Sequence, residues 1–182
     1  MNLIKRTIDG LVLLKPNVFE DGRGYFMESF NQKNVNKIFG NINFVQDNES
    51  ESSRGVLRGL HFQNPPYAQS KLVRCLKGEV LDVALDLRKK SITYGLFETN
   101  LLSDKNKNQL FIPKGFAHGF IVLSDSAIVS YKVDNYYDPK YESGVLWNDT
   151  DLNIDWKIRD DEVILSEKDK NLLPLSKIIN PF

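Results

Sequence analysis

The alternating pattern at residues 78–88 constrains the fold of this chain more than any other stretch. In "GEVLDVALDLR", apolar side chains recur at every second position, which is the period of a β-strand with two different faces. One face carries Leu81, Val83, Leu85 and Leu87, and the other carries Asp82, Ala84 and Asp86. The pattern therefore predicts an extended strand within a sheet.

Other short runs of β-branched and aromatic residues predict that the protein is mostly extended. The runs "NQLFIP", "GFIVLS" and "AIVSYKVDNYY" are separated by the turn formers of "LKGE", "IPKG" and "LSDS". Short helices are predicted near "NQKNVNKIFG", where Gly40 ends the helix, and near "SEKDKNLL". Many short strands at regular spacing favour an all-β sandwich or barrel of jelly-roll type, and the mouth of such a barrel can enclose a ligand.

The composition fits one globular domain spanning residues 1–182. Its 24 lysines and arginines balance its 24 aspartates and glutamates, which argues against nucleic acid or a membrane surface as a partner. The start "MNLIKRTIDG" lacks the apolar core of a signal peptide, and no apolar run approaches membrane-spanning length, so we expect a cytoplasmic protein. Cys75, the only cysteine, stands in the apolar run "LVRCL" and is expected in the core.

The two histidines raise the question of a metal site. His61 stands in "HFQ" and His118 in "PKGFAHGF", and metal-binding cupins, which are small barrels of this kind, place three histidines and a glutamate in two such segments. Here Gln63 occupies the second ligand position, and Lys71 stands where a glutamate is expected. An ammonium group repels a divalent cation. We therefore expect neither a metal nor another cofactor.

His61 then remains as an acid or base, or as an ordinary core residue. Arg58 and Lys71 flank it in sequence, and both are unfavourable to bury without an anionic partner. Strict alternation places Arg58 and His61 on opposite faces of a strand. Gly59 lies between them, and a glycine inside a strand often marks a bulge, which changes the face to which the following side chains point. We therefore expect Arg58 and His61 to point inward together.

Three further polar or aromatic segments carry little information when each is taken alone. "DGRGYF" predicts a turn with an arginine at its tip, and "FVQDNES" places three polar side chains in a row. "SYKVDNYYDP" puts Tyr131 in a strand, with Tyr136 and Tyr137 at its exit. Tyrosines in strands are usually packing residues with a hydrated hydroxyl.

Taken together, these segments resemble the dTDP-4-dehydrorhamnose 3,5-epimerase family, a group of cupin-fold sugar-nucleotide epimerases of rhamnose biosynthesis. They occur in the order and spacing of the family from about residue 17 to about residue 173. The run "LRGLHFQ" together with "IPKGFAHGF" and "NYYDP" is specific. The other matching segments are "FEDGRGYFMESF", "FVQDNES", "AQSKLVRCLKGEVLDVALDLR", "LWND" and "LSEKD".

The resemblance implies a cupin jelly-roll barrel and a homodimer in which N-terminal strands extend the sheet of the partner. It also implies a metal-free reaction on dTDP-4-dehydro-6-deoxy-D-glucose that inverts C3 and C5 to give dTDP-4-dehydro-L-rhamnose. The C4 ketone acidifies the hydrogens on both carbons, because the carbanion that is left delocalises as an enolate.

The resemblance also implies roles for individual residues. His61 matches the base, Asp169 matches the carboxylate that orients its imidazole, and Tyr131 matches the acid on the opposite face. Lys71 matches the group that stabilises the enolate oxygen, with Arg58 and His118 nearby. Tyr137 matches the aromatic residue that stacks on thymine. The remaining substrate contacts match Arg23, Glu28, Gln46, Asp47, Asn48, Arg58, Glu142 and Lys168.

Three alternatives to the double epimerase stay open at this stage. A single-site epimerase would use the same base and acid on one carbon or on a related 4-keto nucleotide sugar. A non-catalytic cupin that binds sugar nucleotides needs neither proton-transfer group, whereas this chain carries candidates for both. A metal-dependent cupin dioxygenase would require a metal that restores activity after chelation.

Overall fold

A computed structural model describes residues 2–5 and 7–182, and most of the regular structure in these residues is β-sheet. In chain order the strands are β1 (Asn2–Lys5), β2 (Val12–Lys15), β3 (Phe19–Asp21), β4 (Gly24–Phe26), β5 (Gln46–Ser53), β6 (Leu57–Gln63), β7 (Lys71–Lys77), β8 (Glu79–Asp86), β9 (Phe97–Ser103), β10 (Gln109–Ile112), β11 (Phe116–Val122), β12 (Ser126–Val133) and β13 (Glu142–Gly144).

The strands form two large sheets and one small hairpin. The first sheet has the order β1-β2-β10-β7-β12-β5, the second has the order β13-β6-β11-β8-β9, and β3 pairs with β4 alone. Neighbouring strands in all three sheets are antiparallel. This is the all-β cupin jelly roll with a few short helices that the sequence predicts.

The two helices lie close to where the sequence predicts them. Helix α1 (Gln32–Phe39) begins after Asn31, whose side chain accepts a hydrogen bond from Asn34 N, and it ends at Gly40 with φ 81°. Helix α2 (Glu167–Lys170) is a single turn capped by Ser166. Short 3-10 turns lie at Asp160–Glu162 and Leu175–Lys177. No helix among the described residues has the length and apolarity needed to cross a membrane.

The two faces of β8 alternate as predicted, and each of them packs into a different apolar core. Val80 and Ala84 point into the space between the two large sheets, where Cys75 is also buried. The opposite face, with Leu81, Val83 and Leu85, is covered by chain that follows β13. That covering chain contributes Trp147, Ile154 and Trp156. The C-terminal segment is therefore fixed against the second sheet, which brings α2 close to β6.

A third, smaller core lies on the outer face of the first sheet. Leu14, Leu72 and Phe111 are buried there, and Phe39 of α1 stacks on Phe111 with ring centres 3.8 Å apart. Both outer faces of the barrel are thus partly covered. The interior is apolar at one end and polar at the other, and the polar end opens to solvent.

Candidate active site

A cavity of about 560 Å³ opens at the polar end of the barrel, between the two large sheets. An adjoining cavity of about 270 Å³ shares the walls made by Asn48, His61, Lys71 and Tyr131. Most of the residues that the sequence analysis singles out line one or both: Gln46, Asn48, Arg58, His61, Lys71, His118, Tyr131, Tyr137, Glu142, Lys168 and Asp169. The fold therefore brings these residues together around two adjoining cavities from segments that lie far apart in the chain.

A bulge at Gly59 explains why Arg58 and His61 share this cavity. His118 pairs with His61 and Phe120 pairs with Arg58, so two residues of β6 stand opposite Gly119 alone. Gly59 has φ 131°, and a Cβ there would meet Gly119 Cα at 2.4 Å. Only glycine suits this conformation and this close approach of two strands. The prediction that a bulge at Gly59 lets Arg58 and His61 point inward together is confirmed.

His61 is held by Asp169 in a two-residue pair. His61 Nε2 is 2.5 Å from Asp169 Oδ1, and Ser166 Oγ donates to Asp169 Oδ2 at 2.9 Å. Burial raises the pKa of the Asp169 carboxyl, but the bonds from His61 and Ser166 outweigh burial and leave the pKa below its usual value. An ionised carboxylate only accepts hydrogen bonds, so His61 carries its proton on Nε2 and keeps Nδ1 free as a base.

The position of Asp169 depends on how the C-terminal segment returns to β6. Ile164 N donates to Gly55 O at 2.9 Å, and Leu57 N donates to Ile164 O at 3.0 Å. These bonds lay the chain beside the start of β6, five residues before Asp169. The Ser166 cap then turns the chain so that the Asp169 side chain is buried against His61.

Tyr131 reaches the cavity from the other sheet. It lies on β12, whereas His61 lies on β6, so the two side chains approach the cavity from opposite walls. Burial raises the pKa of the Tyr131 hydroxyl, and the nearby Arg58 only partly offsets this. The phenol is therefore protonated at neutral pH and can act as an acid.

Lys71 and His118 form the inner end of the cavity. Burial lowers the pKa of Lys71 to about 8, although Asp82 and Glu142 act in the opposite direction. Lys71 Nζ lies 5.9 Å from the centre of the Tyr131 ring. His118 Nε2 lies 2.8 Å from Asp82 Oδ2, and burial lowers the pKa of this imidazole. A cationic donor thus stands beside a neutral imidazole where charge on a substrate could develop.

The rim of the cavity is a chain of three polar side chains. Tyr137 Oη donates to Glu142 Oε2 at 2.7 Å, and Lys168 Nζ pairs with Glu142 Oε1. The bond to Glu142 raises the pKa of Tyr137 to about 12. Burial raises the pKa of Glu142, but Lys168 and Tyr137 together lower it further than burial raises it. Gln46 Oε1 accepts from Tyr137 N at 3.2 Å, which ties the rim to β5.

Three residues that the resemblance assigns to the substrate lie outside this cavity. Arg23 is at the tip of the β3–β4 hairpin, paired with Asp21, and its side chain is 90% exposed. Glu28 accepts from Asn31 and Asn34 in the loop before α1. Asp47 points away from the cavity, because it alternates with Gln46 and Asn48 on β5, and it pairs with Lys132.

Sequence reasoning missed three residues that support the site. Ser166 holds Asp169, Asp82 holds His118, and Ser52 Oγ accepts from Arg58 Nε at 3.1 Å. Two signals were present in the sequence. The alternation of β8 already placed Asp82 on the face opposite the leucines, and a serine three residues before an aspartate is typical of a helix cap.

The described residues contain no group of three or more histidine, cysteine, aspartate or glutamate side chains arranged to hold a metal ion. Gln63, at the position where metal-binding cupins place their second ligand, bonds to backbone groups. Its amide donates to Tyr67 O and Tyr136 O and accepts from Asp138 N. It therefore shapes the loop that carries Tyr137.

The barrel therefore carries a histidine–aspartate pair on one wall of its cavity and a tyrosine on the other, with a lysine in the same lining, and this arrangement fits a cupin-fold epimerase. A model of the dTDP-4-dehydrorhamnose 3,5-epimerase family matches residues 5–177. The chain belongs to this family, and it is therefore an isomerase. The resemblance drawn from the sequence is confirmed.

Individual relatives match nearly the whole chain. A dTDP-4-dehydrorhamnose 3,5-epimerase from Methanothermobacter thermautotrophicus is 53% identical over 173 residues, covering 94% of this chain and 93% of the relative. The crystal structure of the Elizabethkingia anophelis enzyme of that name has a TM-score of 0.93 at 51% identity and covers 97% of both chains. A Legionella pneumophila epimerase, solved in complex with dTDP-4-keto-L-rhamnose, has a TM-score of 0.93 at 46% identity and covers 97% of this chain and 94% of its own.

Proposed function

We propose that this protein converts dTDP-4-dehydro-6-deoxy-D-glucose into dTDP-4-dehydro-L-rhamnose by inverting C3 and C5. The observation that carries the proposal is that His61 and Tyr131 line one cavity from opposite sheets. Inversion of a carbon needs a base on one face and an acid on the other. The Legionella relative solved with dTDP-4-keto-L-rhamnose supports a ligand of this kind.

His61 is the base in this proposal. The C4 ketone acidifies the hydrogens on C3 and C5, and Nδ1 of His61 takes one of them. The electron pair of the broken C–H bond moves into an enolate, so the ketone of the substrate is itself the electron acceptor and the reaction needs no cofactor. Asp169 keeps the ring in the correct tautomer and stabilises the imidazolium that forms.

Lys71 and Arg58 stabilise the enolate oxygen. Lys71 is enclosed by the barrel, where a charge acts more strongly than it does in water. One well-aimed donor to such an oxygen contributes roughly 3–4 kcal/mol to the barrier reduction. His118, which is paired with Asp82 beside Lys71, completes this end of the cavity.

Tyr131 completes the inversion by returning a proton to the face opposite His61. One cycle leaves an imidazolium at His61 and a phenolate at Tyr131, and solvent must reset both before the second carbon reacts. The new hydrogen on each carbon therefore comes from a hydroxyl that exchanges with water. This property makes the reaction visible in heavy water.

The rim of the cavity would bind the nucleotide part of the substrate. Tyr137 is 51% exposed, so its ring is free to stack on thymine. Lys168 supplies a positive charge toward the diphosphate, and Gln46 and Asn48 supply amide groups on the facing strand. Glu142 ties Tyr137 to Lys168.

A homodimer accounts for the predicted contacts that one chain leaves outside the cavity. The β3–β4 hairpin exposes Phe19, Tyr25 and Phe26 as well as Arg23, and β1 forms an edge of its sheet. We propose that N-terminal strands of one subunit extend the sheet of its partner and that Arg23 and Glu28 serve the cavity of the partner. Asp47 pairs with Lys132 within its own chain. Residues 1–182 act as one domain in this proposal, and a cytoplasmic location remains a prediction.

Mixing two inactive variants tests the dimer. Arg23→Ala and His61→Asn subunits are mixed after gentle dissociation. Half of the resulting dimers contain one subunit of each kind, and each of these has one intact cavity if Arg23 serves the partner. The mixture should then regain about a quarter of the wild-type activity. Mixing Lys71→Met with His61→Asn is the control, since both residues belong to the same cavity. No recovery in the first mixture would show that Arg23 acts within its own chain.

Incubation of the enzyme with dTDP-4-dehydro-6-deoxy-D-glucose in heavy water tests the proposed reaction. We expect deuterium at both C3 and C5 of dTDP-4-dehydro-L-rhamnose. Deuterium at one carbon only would replace the proposal by a single-site epimerase. Binding of the nucleotide sugar with no deuterium at either carbon would show a non-catalytic binding protein.

A further inference from the structure

Asp82 is a buried carboxylate to which the proposed reaction assigns no role. It lies on β8, on the same face as Val80 and Ala84, and none of its surface is exposed. Removing a carboxylate from water is unfavourable unless hydrogen bonds or opposite charges compensate for the loss. Its partners therefore indicate what the residue does.

Those partners are two residues that line the cavity from opposite sheets. Asp82 Oδ2 lies 2.8 Å from His118 Nε2, on β11 of the same sheet. Lys71 belongs to β7 of the other sheet, and the negative charge of Asp82 acts against the loss of its proton. The carboxylate therefore holds His118 by a hydrogen bond and acts on Lys71 through its charge alone.

The second carboxylate oxygen of Asp82 is buried without a hydrogen-bond partner among the described residues. Asn100 on β9 is directly paired with Asp82, and cross-strand partners share one face of a sheet. Asp82 Oδ1 and Asn100 Nδ2 are both buried, and neither has a hydrogen-bond partner among the described residues. These two atoms do not bond to each other, so only the bond from His118 fixes the Asp82 carboxylate among the described residues.

We propose that Asp82 is a positioning residue for the epimerisation, which fixes the ring of His118 through a hydrogen bond and provides a counter-charge for Lys71. This inference rests on the proposed function. A carboxylate accepts the proton of His118 Nε2, so Nδ1 is left as an acceptor. His118 then accepts from a substrate hydroxyl or from Lys71, and Lys71 and Arg58 are the donors to the enolate oxygen.

The charge on Lys71 depends on every ionisable group around it. Asp82 approaches it from β8 and Glu142 from β13, and both favour the ammonium form. The other ionisable side chains that line the same cavity are Glu49, Arg58, His61, His118, Tyr131, Lys168 and Asp169. Among the negative charges, Asp82 is the one that is fully buried, so its removal should affect Lys71 most.

The pH dependence of kcat/KM in Asp82→Asn tests the proposal. The asparagine keeps the shape of the side chain but removes its charge, so Lys71 should lose its proton more readily. We expect the fall of kcat/KM at alkaline pH to move to lower pH by about one unit. Asp86→Asn is the matched control, because Asp86 is equally buried on β8 but pairs with Arg88 outside the cavity.

The Asp86→Asn control should be less stable than the wild type, but its kcat/KM should fall at the same alkaline pH as that of the wild type. An Asp82→Asn profile that overlays the wild-type profile, at full or uniformly reduced activity, would overturn the proposal. This outcome is distinct from failure of the proposed function, in which the wild-type enzyme would itself show no epimerisation.

Nitrogen NMR of the unmodified protein provides a second test that does not depend on how Asp82→Asn folds. The chain has two histidines, so the spectrum of His61→Asn assigns His118 directly. We expect a neutral ring at pH 7 with the proton on Nε2. A proton on Nδ1 with Nε2 bare would overturn the role of Asp82.

Discussion

His61 and His118 lie directly opposite each other on β6 and β11, and each ring bonds through Nε2 to a different aspartate. Their surroundings differ, because the His61 side chain is 25% exposed and the His118 side chain is 6% exposed. Asp169 reaches His61 from the C-terminal α2, whereas Asp82 reaches His118 from inside the barrel. His61 is therefore suited to exchange protons with substrate and solvent, and His118 is suited to a fixed role.

Replacing Asp169 should remove most of the activity while leaving substrate binding largely intact. Asp169→Asn no longer holds His61 in the tautomer that keeps Nδ1 free, so we expect kcat to fall by about 10²–10⁴-fold, the range for loss of a general base. Asp149→Asn is the control, since Asp149 is equally buried but binds backbone N–H groups away from the cavity. Equal losses of kcat in both variants would contradict the role of Asp169.

Replacing Tyr131 should separate proton removal from proton return. Tyr131→Phe keeps the ring but removes the hydroxyl, so His61 can still form the enolate. We expect exchange of the C3 and C5 hydrogens with heavy water to continue while epimer formation falls about 10²-fold or more. Tyr141→Phe, at a residue that packs on Tyr67, should change neither rate. Parallel loss of exchange and product in Tyr131→Phe would show that Tyr131 also acts in proton removal.

Lys71 should set the alkaline limit of activity. Its pKa is lowered from 10.5 to about 8 by burial, so the ammonium donor is lost as the pH rises through about 8. We expect kcat/KM to fall above that pH. Lys71→Arg, which stays charged, should be slower but should keep its rate to higher pH. If kcat/KM of Lys71→Arg falls at the same alkaline pH as that of the wild type, a group other than Lys71 sets the alkaline limit.

The same shift predicts the opposite trend for the contribution of Lys71 to stability. Between pH 8 and 10.5 the folded state binds fewer protons at this lysine than the unfolded state does. Its contribution to the free energy of unfolding therefore rises with pH over that range. Loss of activity there should precede unfolding, which circular dichroism at each pH can check.

The bulge at Gly59 should be intolerant of any side chain. In Gly59→Ala the new Cβ would meet Gly119 Cα at 2.4 Å and His118 O at 2.9 Å. Overpacking and the unfavourable backbone angle together should lower the free energy of unfolding by about 2–5 kcal/mol. Gly24→Ala is the matched control, because Gly24 has φ 130° but nothing within 4 Å. Denaturant unfolding should show the larger loss for Gly59→Ala, and equal losses would mean that the close approach contributes nothing.

Much of the fold follows from local pattern, because a strand with two different faces reveals itself through alternation. β8 and its two faces, and α1 with its ends at Asn31 and Gly40, lie close to where the sequence predicts them. The sheet order does not follow from local pattern. β10 lies between β2 and β7, a pairing of segments that no short window of sequence contains.

The candidate site, like the fold, can be predicted only in part from local sequence. The facing of Arg58 and His61 could be predicted, since Gly59 lies within the same strand. The Asp169 partner of His61 is 108 residues away in sequence, and only the resemblance indicated it. The Asp82 bond to His118 depends on which strand lies beside β11, and Arg23 and Glu28 depend on a second subunit in our proposal. Contacts of these kinds are fixed by the packing of whole sheets.

The most direct test of the account follows loss of hydrogen from C3 and C5 of dTDP-4-dehydro-6-deoxy-D-glucose in heavy water, comparing the wild-type enzyme with His61→Asn. If His61 is the base, exchange at both carbons should fall by about 10²–10⁴-fold while the circular dichroism spectrum is unchanged. Exchange at the wild-type rate in a folded His61→Asn protein would show that another group removes the proton.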